Sequence, residues 1–193
     1  MREEGWWKWK ILRSLCWREE SEERSGSVVA CSMGGNQTDP DRNPGTCMCQ
    51  QLRHARRTAA GTDYNRVNLL MAVLEKRLGL HLSASDAYVN IAGGIRMNEP
   101  AVDLGILLAV VSSYKDIVID DKVLVFGEVG LSGEVRAVSM AEQRVQEAKK
   151  LGFTTVILPA ACMKSVGQET EITLIPVENI RDAVRFSGTE KIM

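Results

Sequence analysis

The sequence predicts an α+β domain in which helices pack on a mixed β-sheet. From about residue 63 onward, short runs rich in Val, Ile and Leu alternate with longer runs of helical period. Glycine or proline follows most of these runs, where a chain has to turn. Strand-type and helix-type periods that alternate in this way favour one layered domain over separate all-α and all-β parts.

The first half of this region contains two predicted helices and one strand. Asp63 or Asn65 can cap the first helix, and Gly79 ends it. Its apolar positions recur at helical spacing and are Val67, Leu70, Met71, Leu74 and Leu78. We expect a strand over residues 88–92 and a helix over residues 103–114, which is apolar nearly all round and therefore buried on most faces.

The second half continues the alternation. Strands are predicted over residues 123–128, 155–158 and 172–175, with a short strand at Val135 after a tight Gly-Leu-Ser-Gly turn. Helices are predicted over residues 141–151 and 178–186, with a helical turn over 162–166. Ser139 is expected to cap the first of these helices. No internal repeat is present.

The segment before Arg56 differs in composition from the rest. All four tryptophans and four of the five cysteines lie in it, and residues 34–55 show no apolar periodicity. We therefore predict a mostly irregular segment over residues 1–55, strand-like only at 27–32, followed by a domain over residues 56–193. The Trp-Trp-Lys-Trp-Lys run could anchor at a membrane interface or stack on nucleic acid, but it forms no clean helical stripe.

Composition narrows the classes of function. The net charge is −1, so contact with nucleic acid would need a local basic patch. No apolar run reaches the ~20 residues of a membrane span, and the N-terminus does not resemble a signal peptide. Five cysteines without framework spacing indicate a reducing compartment, so we expect a cytoplasmic protein. Cys47-Met-Cys49 lacks zinc-ligand spacing, and we expect no metal or cofactor in this chain.

Familiar catalytic motifs do not occur. There is no Walker-type phosphate loop, no Gly-x-Ser-x-Gly elbow and no Gly-x-Gly-x-x-Gly dinucleotide fingerprint. The two histidines, His54 and His81, are not near a plausible nucleophile in sequence, so a histidine triad has no support.

The chain resembles a known family over residues 25–33 and 56–193. The stretches SGSVVACSM, RRTAAGTDYNRVNLLMAVLEKRLGL, VNIAGGIRMNEPAVDLGILLAVVSS and VFGEVGLSGEVRAV carry the resemblance to the C-terminal domain of the bacterial DNA-repair proteins called RadA or Sms. That domain is similar to the proteolytic domain of Lon protease. The resemblance implies a Lon-like fold, with ribosomal-protein-like α/β layers.

The resemblance also identifies two positions where the catalytic pair of Lon would lie. Ala101 falls on the serine nucleophile and Arg144 on the lysine base. Alanine carries no nucleophile and a guanidinium keeps its proton, so neither half of a Ser–Lys dyad is present. We therefore expect no catalytic residues, with Ala101 as packing at the helix N-terminus and Arg144 as a surface or interface cation. The alternative is an active Lon-like ATP-dependent serine peptidase that uses Ser112 or Ser113 with Lys115.

The resemblance to this family implies a role in recombinational repair. Its members form hexameric rings that drive branch migration on branched or single-stranded DNA and act beside a RecA-type recombinase. ATP and zinc belong to the ATPase and zinc-finger domains that precede the Lon-like domain, and this chain lacks both. Resemblance thus implies a non-catalytic scaffold for oligomerisation, with DNA contact through Arg56, Arg57 and Arg66 as candidates from charge and position.

Two windows depart from the family while keeping its spacing. Some codon choices for residues 36–55, translated in a reading frame shifted by one base, encode an alternating apolar and polar segment typical of a strand. Codons for residues 6–18 can likewise encode a different, family-like segment in a shifted frame. We hypothesise frame-shifted windows at 6–18 and 34–55, each with a compensating shift; the alternative is a divergent natural segment. On either reading, residues 1–24 and 34–55 are predicted to be irregular.

Overall fold

The computed structural model describes residues 9–14, 25–33, 47–51, 56–91, 97–167 and 171–189. The strands are β1 (Trp9–Ser14), β2 (Val28–Met33), β3 (Cys47–Gln51), β4 (Arg57–Ala60), β5 (Ser85–Asn90), β6 (Val123–Val125), β7 (Glu128–Val129), β8 (Val135–Arg136), β9 (Thr155–Pro159) and β10 (Thr173–Val177). The α-helices are α1 (Tyr64–Leu78), α2 (Asp103–Lys115), α3 (Ala141–Lys150), α4 (Met163–Val166) and α5 (Ile180–Val184).

The strands form two mixed sheets and a small hairpin. The main sheet has the order β1-β2-β6-β9-β10, with β1 antiparallel to β2 and the remaining neighbours parallel. The second sheet has the order β3-β5-β4, in which β3 is antiparallel and β4 parallel to β5. β7 and β8 pair antiparallel. Mixed sheets covered by helices are compatible with the predicted α+β class.

Apolar side chains cover both faces of the main sheet because neighbouring residues on a strand point to opposite sides. Val125 and Ile157 face a core that includes α1, α2, α5 and part of the second sheet. Leu124 and Val156 face a second core, closed by α3 and the segment around Cys162. β2 contributes to both cores, so residues 25–33 belong to the same layered fold as the chain beyond residue 56.

The two central helices follow their sequence signals. The Asp63 side chain accepts hydrogen bonds from the amides of Asn65 and Arg66 at the start of α1, and Gly79 ends the helix with φ 69°. These local signals therefore determine both ends of α1, as predicted. α2 is buried from Asp103 to Ser112, as its nearly continuous apolar character predicts.

The prediction that residues 1–24 and 34–55 are irregular is wrong for two stretches. β1 lies at residues 9–14 and pairs with β2, and β3 lies at residues 47–51 and pairs with β5. Both partners offer a row of backbone N–H and C=O groups on the side away from their other neighbour. Backbone pairing of this kind does not need an alternating side-chain pattern in the added strand. The remaining residues of both predicted irregular segments lie outside the described residues.

Several predicted boundaries also move. Ser139 does not cap α3: the N-cap is Met140, in the left-handed region at φ 56° and without a side-chain cap. The predicted strand over 123–128 is interrupted at Gly127, between β6 and β7. The last predicted helix is divided into α5 and a π-helical turn over Arg185–Thr189. The strand predicted over 88–92 begins earlier, at Ser85, and ends at Asn90.

Candidate functional site

The turn that enters α2 contains Ala101, the position matched to a serine nucleophile. Pro100–Val102 form a 3₁₀ turn, and Ala101 is buried in it with 1% of its surface exposed. The Ala101 carbonyl accepts a hydrogen bond from Gly127 N at 2.8 Å, and Leu104 N donates to the Gly127 carbonyl at 3.1 Å. These bonds fasten the turn to the break between β6 and β7. The Ala101 methyl group is thus core packing and offers no reactive atom.

Arg144, the position matched to a lysine base, is fully buried, with 0% of its surface exposed. Its Nη1 donates to the Cys31 carbonyl at 2.8 Å, its Nε donates to the Ser139 carbonyl at 3.1 Å, and its Nη2 pairs with Glu99 Oε1. The guanidinium also lies 5.7 Å from the centre of the Phe126 ring. We call Arg144 and these partners, with Ser32, the Arg144 cluster.

The expectation that Arg144 is a surface or interface cation is therefore wrong. A buried guanidinium needs compensation for lost hydration, which here comes from a carboxylate, two backbone carbonyls and an aromatic face. The planar fork of arginine suits several acceptors at once, whereas a lysine ammonium is a point charge. Arg144 is thus a structural residue of the core, held by the acceptors around it.

Glu99 joins three parts of the fold at this cluster. One carboxylate oxygen pairs with Arg144 on α3, and the other accepts a hydrogen bond from Ser32 Oγ on β2. Glu99 itself precedes the turn that contains Ala101. Glu99 thus links α3, β2 and the turn that contains Ala101, where the alanine side chain carries no group for proton transfer.

Cys31 lies beside this cluster, on β2. Burial raises the pKa of its thiol to about 11, and the nearby Arg144 charge offsets only part of that effect. The protonated thiol is a poor nucleophile, so Cys31 is unsuited to thiolate chemistry.

A second buried ion pair lies at the start of α2. Asp103 is 1% exposed, and its carboxylate accepts from Arg66 Nε at 2.8 Å, from Arg66 Nη2 and from Val129 N at 3.2 Å. Burial raises the pKa of Asp103, although pairing with Arg66 opposes the rise. The hydrogen bond to Asp103 raises the pKa of Arg66. This pair joins α1, α2 and β7.

The three candidate DNA contacts therefore differ in setting. Arg66 directs its guanidinium to Asp103, so most of its donors already have an internal acceptor. Arg57 is half-buried and donates to Asn68 Oδ1 at 3.1 Å. Arg56 is exposed just before β4; its backbone amide donates to Asp86 Oδ1 and its carbonyl accepts from Ala87 N at 2.8 Å.

The alternative nucleophile Ser112 is a structural residue. It is 0% exposed, its Oγ accepts from Gly26 N at 2.8 Å, and its hydroxyl donates to the Ile117 carbonyl. These bonds tie the end of α2 to the segment before β2. Ser113 is half-buried on α2, and Lys115 is exposed at the last residue of that helix.

Sequence reasoning missed Glu99 and Phe126 as partners of Arg144, and Ser32 as a partner of Glu99. One signal was available: Arg144 occupies the apolar stripe of α3 together with Ala141, Val145 and Ala148. A charged residue on a buried helical stripe predicts an internal partner. Identifying the partner needs the fold, because Cys31 is 113 residues away along the chain.

The part of the chain that the structure describes contains neither a metal-binding group nor a membrane-spanning helix. No group of three or more His, Cys, Asp or Glu side chains within them could hold a metal ion. Among the same residues, no helix has the length and apolar character to span a membrane.

Comparison with known proteins places the chain in a family. Residues 59–162 match the model of the ChlI family, described as subunit ChlI of Mg-chelatase. The chain belongs to the ChlI family. The matched region runs from β4 to the turn after β9 and includes Ala101 and Arg144.

This ChlI-family chain is also similar to proteins named DNA repair protein RadA, which confirms the resemblance predicted from the sequence. It is 42% identical to the RadA of Bacillus subtilis over 187 residues, which is 97% of this chain and 41% of the relative. It is 43% identical to the Halalkalibacterium halodurans protein over 163 residues, and 39% identical to the Streptococcus pneumoniae protein over 161 residues. These matches cover 84% and 83% of this chain and 36% and 38% of the relatives. The chain thus spans about two fifths of the B. subtilis relative.

Proposed function

We propose that this chain is a non-catalytic part of a RadA-type DNA-repair protein that acts in recombinational repair and branch-migration processing. In this proposal it serves as an oligomerisation scaffold of Lon-like fold and contributes a surface that contacts DNA. The observation that carries the non-catalytic role is the Arg144 cluster. Where a Ser–Lys dyad would need a hydroxyl and a neutral amine, the chain has a buried methyl group and an ion-paired guanidinium.

The similarity to RadA proteins supports the repair role. It extends over 97% of this chain in the B. subtilis relative, so it includes the layered core and both degenerate positions. On this proposal the scaffold assembles into a hexameric ring in the cytoplasm, and branched or single-stranded DNA and a RecA-type recombinase are its partners. ATP and zinc would bind to other domains of the complete protein.

The competing function is an active Lon-like ATP-dependent serine peptidase. Ser112 is committed to two internal hydrogen bonds, and this disfavours it as a nucleophile. A peptide-hydrolysis assay with a fluorogenic casein substrate tests the point. We expect no hydrolysis above that of buffer; hydrolysis abolished by Ser112→Ala or Ser113→Ala in a folded variant would overturn the non-catalytic reading.

Two measurements test the scaffold and the DNA contact separately. Light scattering with size-exclusion chromatography reports assembly, and a mass that stays monomeric over a wide range of protein concentration would refute the scaffold role. Fluorescence anisotropy with labelled branched and single-stranded DNA reports binding. Phosphate contact predicts that affinity falls steeply as salt rises, so an affinity independent of salt would contradict it.

We further propose that residues 6–18 and 34–55 are frame-shifted windows. The match with the B. subtilis relative covers 97% of this chain, so it extends across most of both windows, as paired compensating shifts require. Sequencing the gene tests the proposal directly: if neither alternate frame encodes alternating apolar residues, the windows are natural divergence.

A further inference from the structure

The strand β4 lies at the edge of the second sheet and pairs with β5 on one side only. The Arg56 carbonyl accepts a hydrogen bond from Ala87 N at 2.8 Å, and the Ala60 carbonyl accepts one from Ile91 N at 2.9 Å. Both carbonyls therefore point toward β5. Because the backbone groups of a strand point alternately to its two sides, the odd-numbered residues of β4 point theirs away from β5.

The outward backbone groups of β4 belong to Arg57 and Ala59. In the described part of the chain, no hydrogen bond reaches the backbone N–H or C=O of either residue. The next outward carbonyl, that of Gly61, accepts from Met97 N at 2.7 Å, so the unpaired stretch ends there. We use the term open edge for the outward backbone groups of Arg57 and Ala59. A row of such donors and acceptors is a template for another extended chain.

The edge strand of the main sheet, β10, is protected where β4 is not. Thr173 N donates to the Thr154 carbonyl at 2.9 Å, so Thr173 faces β9. By alternation Pro176 faces outward, where its missing N–H removes a donor from that edge. β4 contains no proline, and its two exposed side chains, Thr58 and Ala60, are small. A second chain can therefore approach the open edge closely.

Two arginines give the open edge positive charge at its start. Arg56 is exposed just before β4, and Arg57 is half-buried and donates to Asn68 Oδ1 at 3.1 Å. Neither guanidinium belongs to an ion pair found among the residues that the structure describes. Both retain donors for a carboxylate, which a planar guanidinium binds well.

The elements next to β4 carry three carboxylates. Asp63, in the loop after β4, accepts from the first amides of α1, and Asp86 on β5 is 2% exposed and accepts from the Arg56 amide. Glu75 is half-buried toward the end of α1 and forms no ion pair with a described residue. These charges lower the local positive potential without occupying the guanidinium donors of Arg56 and Arg57.

We infer that the open edge binds an extended segment of a partner protein that carries acidic side chains. The segment would add a strand beside β4, with backbone hydrogen bonds supplying affinity and Arg56 and Arg57 selecting for acid. The unpaired groups favour a peptide over DNA, because DNA has no regularly spaced amides to pair with a strand edge. This inference goes beyond the scaffold and DNA roles proposed above and depends on neither.

Three fluorescein-labelled hexapeptides serve as probes, and their binding to the full chain is measured by anisotropy. The first is Thr-Val-Thr-Val-Asp-Glu, the second is the same peptide N-methylated at its four Thr and Val residues, and the third ends in Lys-Lys in place of Asp-Glu. We expect saturable binding of the first, weaker binding of the third and none of the second, because N-methylation removes the strand's donors.

The variant Ala59→Pro tests the edge itself. The Ala59 N–H points outward, so its removal leaves the ladder between β4 and β5 intact, and the extended Thr58 tolerates a following proline. The loss of one hydrogen bond, with a ring placed on the edge, should weaken binding of the acidic peptide about tenfold. Circular dichroism and thermal unfolding check that the variant folds.

The variant Arg56→Glu tests the charge without touching the sheet, because the side chain is exposed. It should weaken binding of the Asp-Glu peptide about threefold and strengthen binding of the Lys-Lys peptide, an exchange that mere loss of structure would not produce. The matched control is Lys164→Glu, an equal charge change at an exposed position of α4, which packs on the second core across the main sheet. It should change neither affinity.

Several results would overturn the inference. They are failure of the folded wild-type chain to bind the acidic peptide, equal binding of the N-methylated peptide, and equal losses in Arg56→Glu and Lys164→Glu. A loss in Arg56→Glu with none in a folded Ala59→Pro would show charge attraction without strand pairing. A labelled DNA duplex is the competing probe: duplex binding lost in Arg56→Glu, with peptide binding unchanged, would make this a nucleic-acid surface. Peptide binding by a chain that binds no DNA would support the inference and count against the proposed DNA contact alone.

Discussion

Replacing Arg144 with methionine removes the guanidinium at the centre of the Arg144 cluster while keeping a long apolar side chain. The Cys31 carbonyl is left without this donor in a buried setting, which costs about 1–3 kcal/mol. The Ser139 carbonyl is partly buried and loses less. Glu99 loses its ion pair with Arg144, although its side chain is 22% exposed and can be partly rehydrated. Together these terms predict a loss of about 3–5 kcal/mol in the free energy of unfolding.

Urea unfolding followed by circular dichroism measures this loss, with the urea slope checked for constancy between variants. Arg136→Met is the matched control, because Arg136 is 55% exposed and its pairs with Glu128 and Glu134 lie at the surface. Surface pairs of this kind contribute about 0–1 kcal/mol. Arg144→Lys should fall between the two, since a single ammonium cannot match the planar arrangement of donors through which the guanidinium reaches its three acceptors.

The reasoning also predicts coupling between Arg144 and Glu99. Glu99→Gln leaves the guanidinium buried without its carboxylate, and adding Arg144→Met should recover part of that loss, with a coupling energy of about 1–3 kcal/mol. The account is refuted if Arg144→Met costs no more than Arg136→Met, or if the two changes at the cluster are simply additive.

Three further predictions concern packing, pH and capping. Gly105→Ala should destabilise the chain by about 1–3 kcal/mol in urea unfolding, because the added Cβ would lie 2.7 Å from the Ala30 Cβ, and Ala30→Gly should restore most of the loss. Burial raises the pKa of Cys31 from 9.0 to about 11, so the native thiol keeps its proton where the unfolded thiol loses it. The stabilisation of the folded state that comes from this retained proton is complete below pH 9.0 and is lost as pH rises to about 11. It amounts to about 2–3 kcal/mol in total. Cys31→Ala should therefore show a correspondingly shallower decline in unfolding free energy over that range. Asp63→Ala should cost about 1 kcal/mol by removing the cap of α1, and no change in thermal unfolding would contradict the capping role.

Local signals explain which parts of the fold could be predicted. α1 has an aspartate cap, a helical apolar stripe and a terminal glycine, and all three act within one or two turns. α2 shows a continuous apolar run, which burial on all sides requires. The cap of α3 was missed because Met140 adopts a left-handed conformation that its residue type does not favour. Ser139 instead offers its backbone carbonyl to Arg144 Nε, at 3.1 Å, a contact that no local pattern shows.

The partners at the candidate site could not be predicted in the same way. Glu99 is separated from Arg144 by 45 residues and from Ser32 by 67 residues, so no local pattern joins them. The resemblance to the Lon family gave the positions of Ala101 and Arg144 but indicated only that the catalytic chemistry is missing. The burial of Arg144 was the additional observation needed to assign its role, because it shows that the guanidinium lies inside the protein and not at the surface.

The position of β2 changes how the degenerate site should be understood. β2 lies between β1 and β6 in the main sheet, and it supplies both the Cys31 carbonyl and the Ser32 hydroxyl to the Arg144 cluster. A boundary at residue 56 would therefore remove one wall of the site and leave one edge of β6 without its neighbour. Because a buried guanidinium without acceptors is costly, residues 25–33 and the domain that follows must fold together. The Glu99–Arg144 ion pair, through its bonds to Ser32 and Cys31, thus fastens β2 to the rest of the domain.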